Sequence, residues 1–359
     1  MDPRVAELHH RAALRPDVIP LAGGLPADDL MPRVALAAVL SEVAQSRDAL
    51  QYGWPEGLQS VRDWIAGRLV ARGVVIDPEH VIVTAGAQQA LSLVAAELAH
   101  GSRIAVGAAT YPAALAAFAS TGLEIVDEDR DARAHYVIAG VANPQGVDLI
   151  EAQRTNLIAS GAEIVVDEAY AELRFDGELP RPLAIDAPDR VWHVGTISKT
   201  LAPGLRIGWL VAPARRRAAV LERKQASDLQ TCSLSQVALT RLFGVIDYDA
   251  MLARARRRYA ARADRLIAAL AHYTPELRFR EPEGGFSLWV ETDEHGDDIA
   301  LLRAAIEAGV SLDPGHMFRP PGVIAPVAFR LSFSNAPPDS FEEAARRLAA
   351  ALAAWRHLE

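Results

Sequence analysis

The sequence predicts an α/β fold: a mostly parallel central sheet covered by helices on both faces, joined to a smaller α+β unit. Three observations predict it. Short apolar strands alternate with helical stretches from about residue 80 to 212. The chemically distinctive polar residues fall just after those strands. Beyond about residue 213 the pattern changes to helix rich in Ala, Leu and Arg, then to a strand–helix–strand–helix run. Alternation of the first kind argues for parallel strands with crossover helices, and ligands of such sheets sit at the carboxyl ends of the strands.

Taken in order, Val81-Ile82-Val83-Thr84 is the first strand, followed by Gly86 and a helix from Ala87 to about Ala99. Arg103–Val106, His135–Ala139, Glu163–Val166, Val191–Val194 and Ile207–Val211 continue the strand series. Residues 213 to 272 are mostly helix. A strand follows at Phe286–Val290, then a helix at Asp298–Ala308, a loop at Asp313-Pro314-Gly315, a strand at Val327–Phe333 and a last amphipathic helix from about Ser340 to Trp355. Residues 1 to about 45 have too little pattern to stand alone and are expected to pack on the second unit, near the site. The expected division is a large domain at 46–245 and a small one made of 1–45 and 246–359.

A chain of 359 residues buries a large core, and half apolar with 23% charged residues is a globular profile. Net charge is -9, which argues against broad attraction to nucleic acid or anionic membrane. The single cysteine, Cys232, makes no intrachain disulfide and fits a reducing compartment. The first twenty residues lack an apolar signal core, and no run has the length of a membrane span. A cytoplasmic location is the expectation. No Cys/His cluster has zinc spacing, so no metal is expected.

The most informative residue is a lysine. Of the 37 basic residues only Lys199 and Lys224 are not arginine. Arginine stays protonated, whereas a lysine amine can lose its proton and attack a carbonyl. Beside Lys199 stand two hydroxyls, Thr196 and Ser198, and a fixed cation, Arg206. Phosphate ligands next to an amine nucleophile point to pyridoxal phosphate, an aldehyde carrying a phosphate. A strand end followed by a loop with an ordinary exposed lysine fits the same segment. Lys224 reads as an exposed helical lysine.

Other candidates line up behind this one, each with a plainer alternative. Gly86, Ala87 and Gln88 open a helix after a strand, where free N–H groups favour phosphate; a simple cap fits too. Asp167 ends a strand and could bond a pyridine nitrogen; it could equally cap a helix. Tyr170 and Asn143 could donate to the ring's phenolic oxygen, or be a core tyrosine and an Asn-Pro turn. Tyr111 could stack on the ring or pack in the core. Arg330 interrupts an apolar strand, where a guanidinium needs a partner: a substrate carboxylate or a structural acid.

Together these residues resemble the fold-type I pyridoxal-phosphate aminotransferases of classes I and II. The resemblance is to the branch holding 2-aminoadipate and kynurenine aminotransferases and the aminotransferase-like domain of MocR regulators. It runs from about Leu21 to the C-terminal helix. Its marks are Ala22–Pro26, Leu50–Gly53, Gly86–Gln89, Asn143-Pro144, Asp167–Tyr170, Ser198-Lys199 with Pro203–Arg206, Lys224-Gln225 and Arg330–Asn335. By that resemblance Lys199 joins the cofactor aldehyde. Thr196, Ser198, Arg206 and the amides of Ala87 and Gln88 hold the phosphate. Tyr52 reaches the phosphate of the other subunit, which implies a homodimer with shared sites. Arg330 binds the substrate α-carboxylate, and Gly24 lies on the segment that closes over substrate. The chain departs from the family in three places. About twenty residues are missing between Val126 and His135, the helix between Gly146 and Asp167 is slightly short, and Gln145 replaces a common threonine.

The reaction implied is transfer of an amino group from an L-amino acid to a 2-oxo acid, with Lys199, Asp167 and Tyr170 catalytic. Elimination, cyclisation or decarboxylation would use the same residues, which do not by themselves choose the bond broken. A ligand sensor of the MocR type is the alternative outside enzymes, but about 20 residues before Ala22 are too few for a DNA-binding module. The side-chain pocket is expected from Leu25–Pro32, Tyr111 and the partner chain. Arg33 could meet a distal carboxylate or stand solvated on its helix.

Overall fold

The computed structural model describes residues 2–98, 101–127 and 131–357. Seven strands form the main sheet: β1 (Val81–Thr84), β2 (Arg103–Val106), β3 (Glu124–Asp127), β4 (Ala134–Ile138), β5 (Glu163–Asp167), β6 (Val191–Thr196) and β7 (Gly208–Val211). Their order is β1-β7-β6-β5-β4-β2-β3, and only β7 runs antiparallel to its neighbours. Every residue of β1, β5 and β6 is buried. Strands covered on both faces read as continuous apolar runs, which is why they stand out in the sequence.

Edge strand β3 was not foreseen. Glu124 and Asp127 are exposed and Ile125 and Val126 only half-buried, so the segment carries no buried-strand pattern. Helix Pro112–Ser120 likewise lacks an amphipathic stripe but has proline at its first turn, where the missing N–H costs nothing. The chain expected to be short between Val126 and His135 crosses residues 128–130, which lie outside the described residues. The helix before β5 spans Glu151–Ala159, nine residues.

The second unit is a four-stranded antiparallel sheet of β8 (Arg278–Phe279), β9 (Ser287–Glu291), β10 (Asp313–Pro314) and β11 (Ala328–Ser332), in the order β10-β11-β9-β8. Helices Tyr248–Tyr273, Asp298–Ala308 and Phe341–Arg356 pack together around it. Helix Asp298–Ala308 begins with the Asp297 side chain accepting from Ile299 N at 2.8 Å and ends at Gly309, whose φ is 88°. Those are the start and stop signals that made it legible. The expected loop at Asp313-Pro314-Gly315 is a correction: Asp313–Pro314 pairs with β11 and a 3-10 turn starts at Gly315.

The N-terminal segment packs where expected over its first part. Helix Pro3–Ala13 lies on helix Asp298–Ala308, and Ile19–Pro20 pairs in parallel with Val310–Ser311. Helix Arg33–Val43 goes elsewhere, packing on helix Ser233–Phe243. Among the described residues no helix is long and apolar enough to cross a membrane.

Lys224 is a second correction. It is fully buried, not exposed, and its ammonium donates to both oxygens of Asp228 at 2.9 and 3.1 Å. Gln89 donates to the same carboxylate at 2.7 Å, so the pair ties two helices together. Burial pushes the Lys224 pKa down, and Asp228 opposes that shift.

On the face of the sheet away from Asp167, Glu168 receives both terminal nitrogens of Arg72. Burial alone would raise the Glu168 pKa, but His193 and Arg72 override it and hold the carboxyl below its usual range. His193, 5% exposed, is pushed below its ordinary 6.5 by burial first; Glu168 pulls it up and Arg72 pushes it further down. A histidine depressed in the folded state leaves the unfolded chain with more protons below about pH 6.5, so stability falls as pH falls through that window. Replacing His193 with glutamine should flatten the slope of melting temperature between about pH 5 and 7. A slope equal to that of the native protein would exclude His193 as its source.

Candidate active site

The carboxyl ends of β4, β5 and β6 open into one cleft, lined by Lys199, Asp167, Tyr170, Asn143 and Tyr111 on the reactive side. Ala87, Gln88, Thr196, Ser198 and Arg206 line its other end. The residues expected to act together from sequence are therefore neighbours in space, with Gly86, Gly24 and Arg330 directly behind them.

The phosphate end is built from three pieces. Ser198 N donates to Thr196 Oγ1 at 3.1 Å, and the two hydroxyl oxygens lie 2.9 Å apart. Arg206 donates to Ser198 Oγ at 3.4 Å and to the carbonyls of Pro203 and Ala85, each at 3.1 Å. These partners are neutral, so the guanidinium keeps its charge for an anion. Arg206 itself holds a left-handed φ of 53° at the end of a 3-10 turn, which aims it back over the loop. The third piece is the start of helix Ala87–Leu98, whose free N–H groups face the same space. Gly86 has φ of 82°, and a Cβ there would lie 2.5 Å from Arg206 Nη2. The cradle thus requires glycine, and its donor set fits a phosphate dianion.

At the reactive end the Lys199 ammonium donates to Gly24 O at 2.8 Å and sits 5.4 Å from the Tyr170 ring centre. Among the described residues no carboxylate bonds to it and ties down the amine. Asp167 is 3% exposed; its Oδ1 accepts from Ala169 N at 3.0 Å and its Oδ2 from Tyr136 Oη at 2.9 Å. Burial pushes its pKa up, against the pull of Ala169 N–H, Tyr136 and Lys199. A protonated ring nitrogen beside it would favour the charged form, which is the fit expected of a pyridine partner. Tyr111 is kept neutral, burial pushing its hydroxyl up to about 12.

Tyr136 was missed from sequence. It lies on β4, beside β5, and is fully buried. Its strand was recognised, but nothing in the sequence says that its hydroxyl reaches across to Asp167.

Arg330 sits on β11, 7% exposed. Its Nη1 donates to Asn143 Oδ1 at 2.7 Å, while Nε and Nη2 donate to Asp313 Oδ2 at 3.0 and 2.7 Å. Gly24 lies against it: a Cβ there would meet Tyr170 Oη at 3.0 Å and Arg330 Nη1 at 3.6 Å. Arg33 pairs with Asp28 at 3.1 Å, both well exposed, as a solvated helix residue would. Tyr52 is 76% exposed on the surface of this chain. Gln145 donates to Ala109 O at 2.7 Å, a bond between loops.

The fold and the cleft define a class, and comparison with known proteins agrees. The profile of the class I and II aminotransferases matches residues 16–348. Aromatic-amino-acid aminotransferase 1 of Thermococcus litoralis is 32% identical, over 93% of this chain and 87% of that protein. The regulator YdcR of Escherichia coli, uncharacterized and of the HTH type, is 31% identical over 86% of this chain and 71% of its own length. Among solved structures, LysN, the α-aminoadipate aminotransferase of Thermus thermophilus complexed with N-(5'-phosphopyridoxyl)-L-leucine, superposes with a TM-score of 0.89 at 28% identity. That match covers 100% of this chain and 96% of LysN. The chain belongs to the class I and II aminotransferases and has their fold-type I architecture.

Proposed function

We propose that this cleft binds pyridoxal phosphate and an amino acid together, and that Lys199, Asp167 and Tyr170 carry the transfer of its amino group to a 2-oxo acid. The carrying observation is the convergence of an amine free of carboxylate partners, a buried carboxyl and an unneutralised phosphate cradle in one place. When bound, pyridoxal phosphate supplies an aldehyde for the amino group and an electron-poor ring that accepts the electron pair left at Cα.

The chain's residues do the rest. Thr196, Ser198, Arg206 and the N–H groups of Ala87 and Gln88 would hold the phosphate. Asp167 would keep the ring nitrogen protonated. Tyr170 and Asn143 would donate to the ring oxygen, and Tyr111 would supply a flat face for the ring. Lys199 Nζ takes the proton from the substrate Cα and returns it on the other side of the transfer. Arg330 receives the α-carboxylate, which fixes Cα within reach of Lys199. The segment carrying Gly24, whose carbonyl accepts from Lys199, would flank the substrate.

The reading predicts one 2-oxo acid formed per amino acid consumed, with no ammonia and no carbon dioxide. Ammonia released in step with substrate loss would point to elimination, and carbon dioxide to decarboxylation. Division into a large domain, 46–245, and a small one, 1–45 with 246–359, belongs to the same reading: the large one lines the cleft and the small one brings Gly24 and Arg330 to it.

A homodimer and a cytoplasmic location complete the proposal. Leu50, Tyr52 and Trp54 are 68%, 76% and 76% exposed, and Leu229 beside them 44%. Gly53 N donates to Gln230 Oε1, which joins the two stretches into one apolar patch. A patch of this kind marks an association surface, and it carries the residue expected to reach the partner's phosphate. Mixing subunits tests the sharing. Lys199→Ala and Tyr52→Ala enzymes, each impaired alone, should regain about a quarter of native activity when mixed, because half the dimers then hold one intact site. No gain on mixing would place Tyr52 outside the partner's site.

A further inference from the structure

Asp313 holds the Arg330 guanidinium from the neighbouring strand. β10 pairs with β11 so that Asp313 stands directly across from Arg330, and their side chains are only 6% and 9% exposed. A single oxygen, Oδ2, accepts from Arg330 Nε, from Arg330 Nη2 and from Gly23 N at 2.9 Å. The other oxygen lies 3.8 Å from His9 Nε2, which is itself 2.9 Å from Leu312 O.

A guanidinium has five N–H groups in a fixed fork. Asp313 takes two of them and Asn143 a third. Two remain, the number that a carboxylate uses in a bidentate pair. Asp313 and Asn143 therefore leave one N–H on each terminal nitrogen for a carboxylate, while Asp313 cancels the fork's charge.

We propose that Asp313 is a positioning residue of the carboxylate subsite, which orients the Arg330 fork and makes the subsite electrically neutral before substrate arrives. This deepens the reading of Arg330 as the α-carboxylate ligand and rests on it. In a neutral subsite the carboxylate is bound by hydrogen-bond geometry more than by net charge. Monocarboxylates without an amino group should then be weak inhibitors. The same oxygen that holds the fork also holds Gly23 N, so fork orientation is tied to the segment carrying Gly24.

The test uses the holoenzyme with 4-methylpentanoate and its amide as competitive probes against an amino donor. Asp313→Asn keeps the acceptor oxygen and removes the charge. It should tighten inhibition by 4-methylpentanoate about tenfold and lower the donor KM in parallel, with kcat little changed. A merely structural role would loosen both. Binding that is unchanged or weaker in Asp313→Asn overturns the proposal. The native enzyme gives an independent check that needs no variant to fold. Its carboxylate should bind only about tenfold tighter than the amide; a ratio above about a hundredfold would mean a charged fork and refute a neutral one. Arg330→Met separates the two readings. Loss of carboxylate inhibition there upholds Arg330 as the ligand, so that a failure of Asp313→Asn would count against Asp313 alone. Inhibition indifferent to Arg330 overturns both.

Discussion

Replacing Lys199 with alanine should lower kcat/KM by about four orders of magnitude or more, with the fold unchanged. The size follows from the two tasks placed on one amine. Lys199 is the residue that meets the cofactor aldehyde and the base placed to take the Cα proton. Its structural role is small: one bond to Gly24 O at 2.8 Å from a half-buried side chain. The variant should keep the phosphate cradle, which involves none of its atoms, and so still bind pyridoxal phosphate. Lys199→Arg should be no better, because a guanidinium keeps its proton. Single-turnover measurement of 2-oxo acid, beside a melting curve, checks both parts. Appreciable turnover in the folded alanine variant would remove Lys199 from the mechanism.

Asp167→Asn should cost about two to three orders of magnitude in kcat, comparable with loss of a pre-oriented charge at a reacting centre. The carboxyl is buried and held on both oxygens, by Ala169 N and Tyr136 Oη, so it cannot swing away from the ring. The cost of burying it is visible in its raised pKa. An amide in its place would hold the geometry but could not keep a proton on the ring nitrogen. Tyr136→Phe should give a smaller loss of about tenfold, the value of one hydrogen bond to a charged group. The order of the two effects is the informative part. Rates measured for both variants with saturating cofactor check it. A Tyr136→Phe loss equal to that of Asp167→Asn would mean that the tyrosine acts on the substrate directly.

The central strands were legible because β1, β5 and β6 are apolar along most of their length and buried on both faces. The cofactor end was legible for a related reason: in an open α/β sheet the ligand residues sit just past strand ends, so they cluster along the sequence as well as in space. Asp167 to Tyr170 and Thr196 to Arg206 are two such clusters.

What was missed depends on pairing between distant segments. β3 has acids at both ends and an edge position, so alternation gave no signal. Asp313 precedes Pro314 and Gly315, which read as a turn; only its pairing with β11 puts it opposite Arg330. Tyr136 required the register of β4 against β5. Lys224 did carry a local signal, an acid four residues on at Asp228, yet a pair at that spacing usually lies on a solvated helix face. What the local signal lacks is Gln89, which bonds the same carboxylate from a helix more than a hundred residues away.

The most direct test is a visible spectrum of the purified protein with pyridoxal phosphate, recorded before and after a panel of L-amino acids is added. A visible band that depends on Lys199 should appear and should bleach with at least one amino acid as its 2-oxo acid is released. A band that shifts but never bleaches with any donor, or a band indifferent to Lys199→Ala, would contradict amino-group transfer through Lys199.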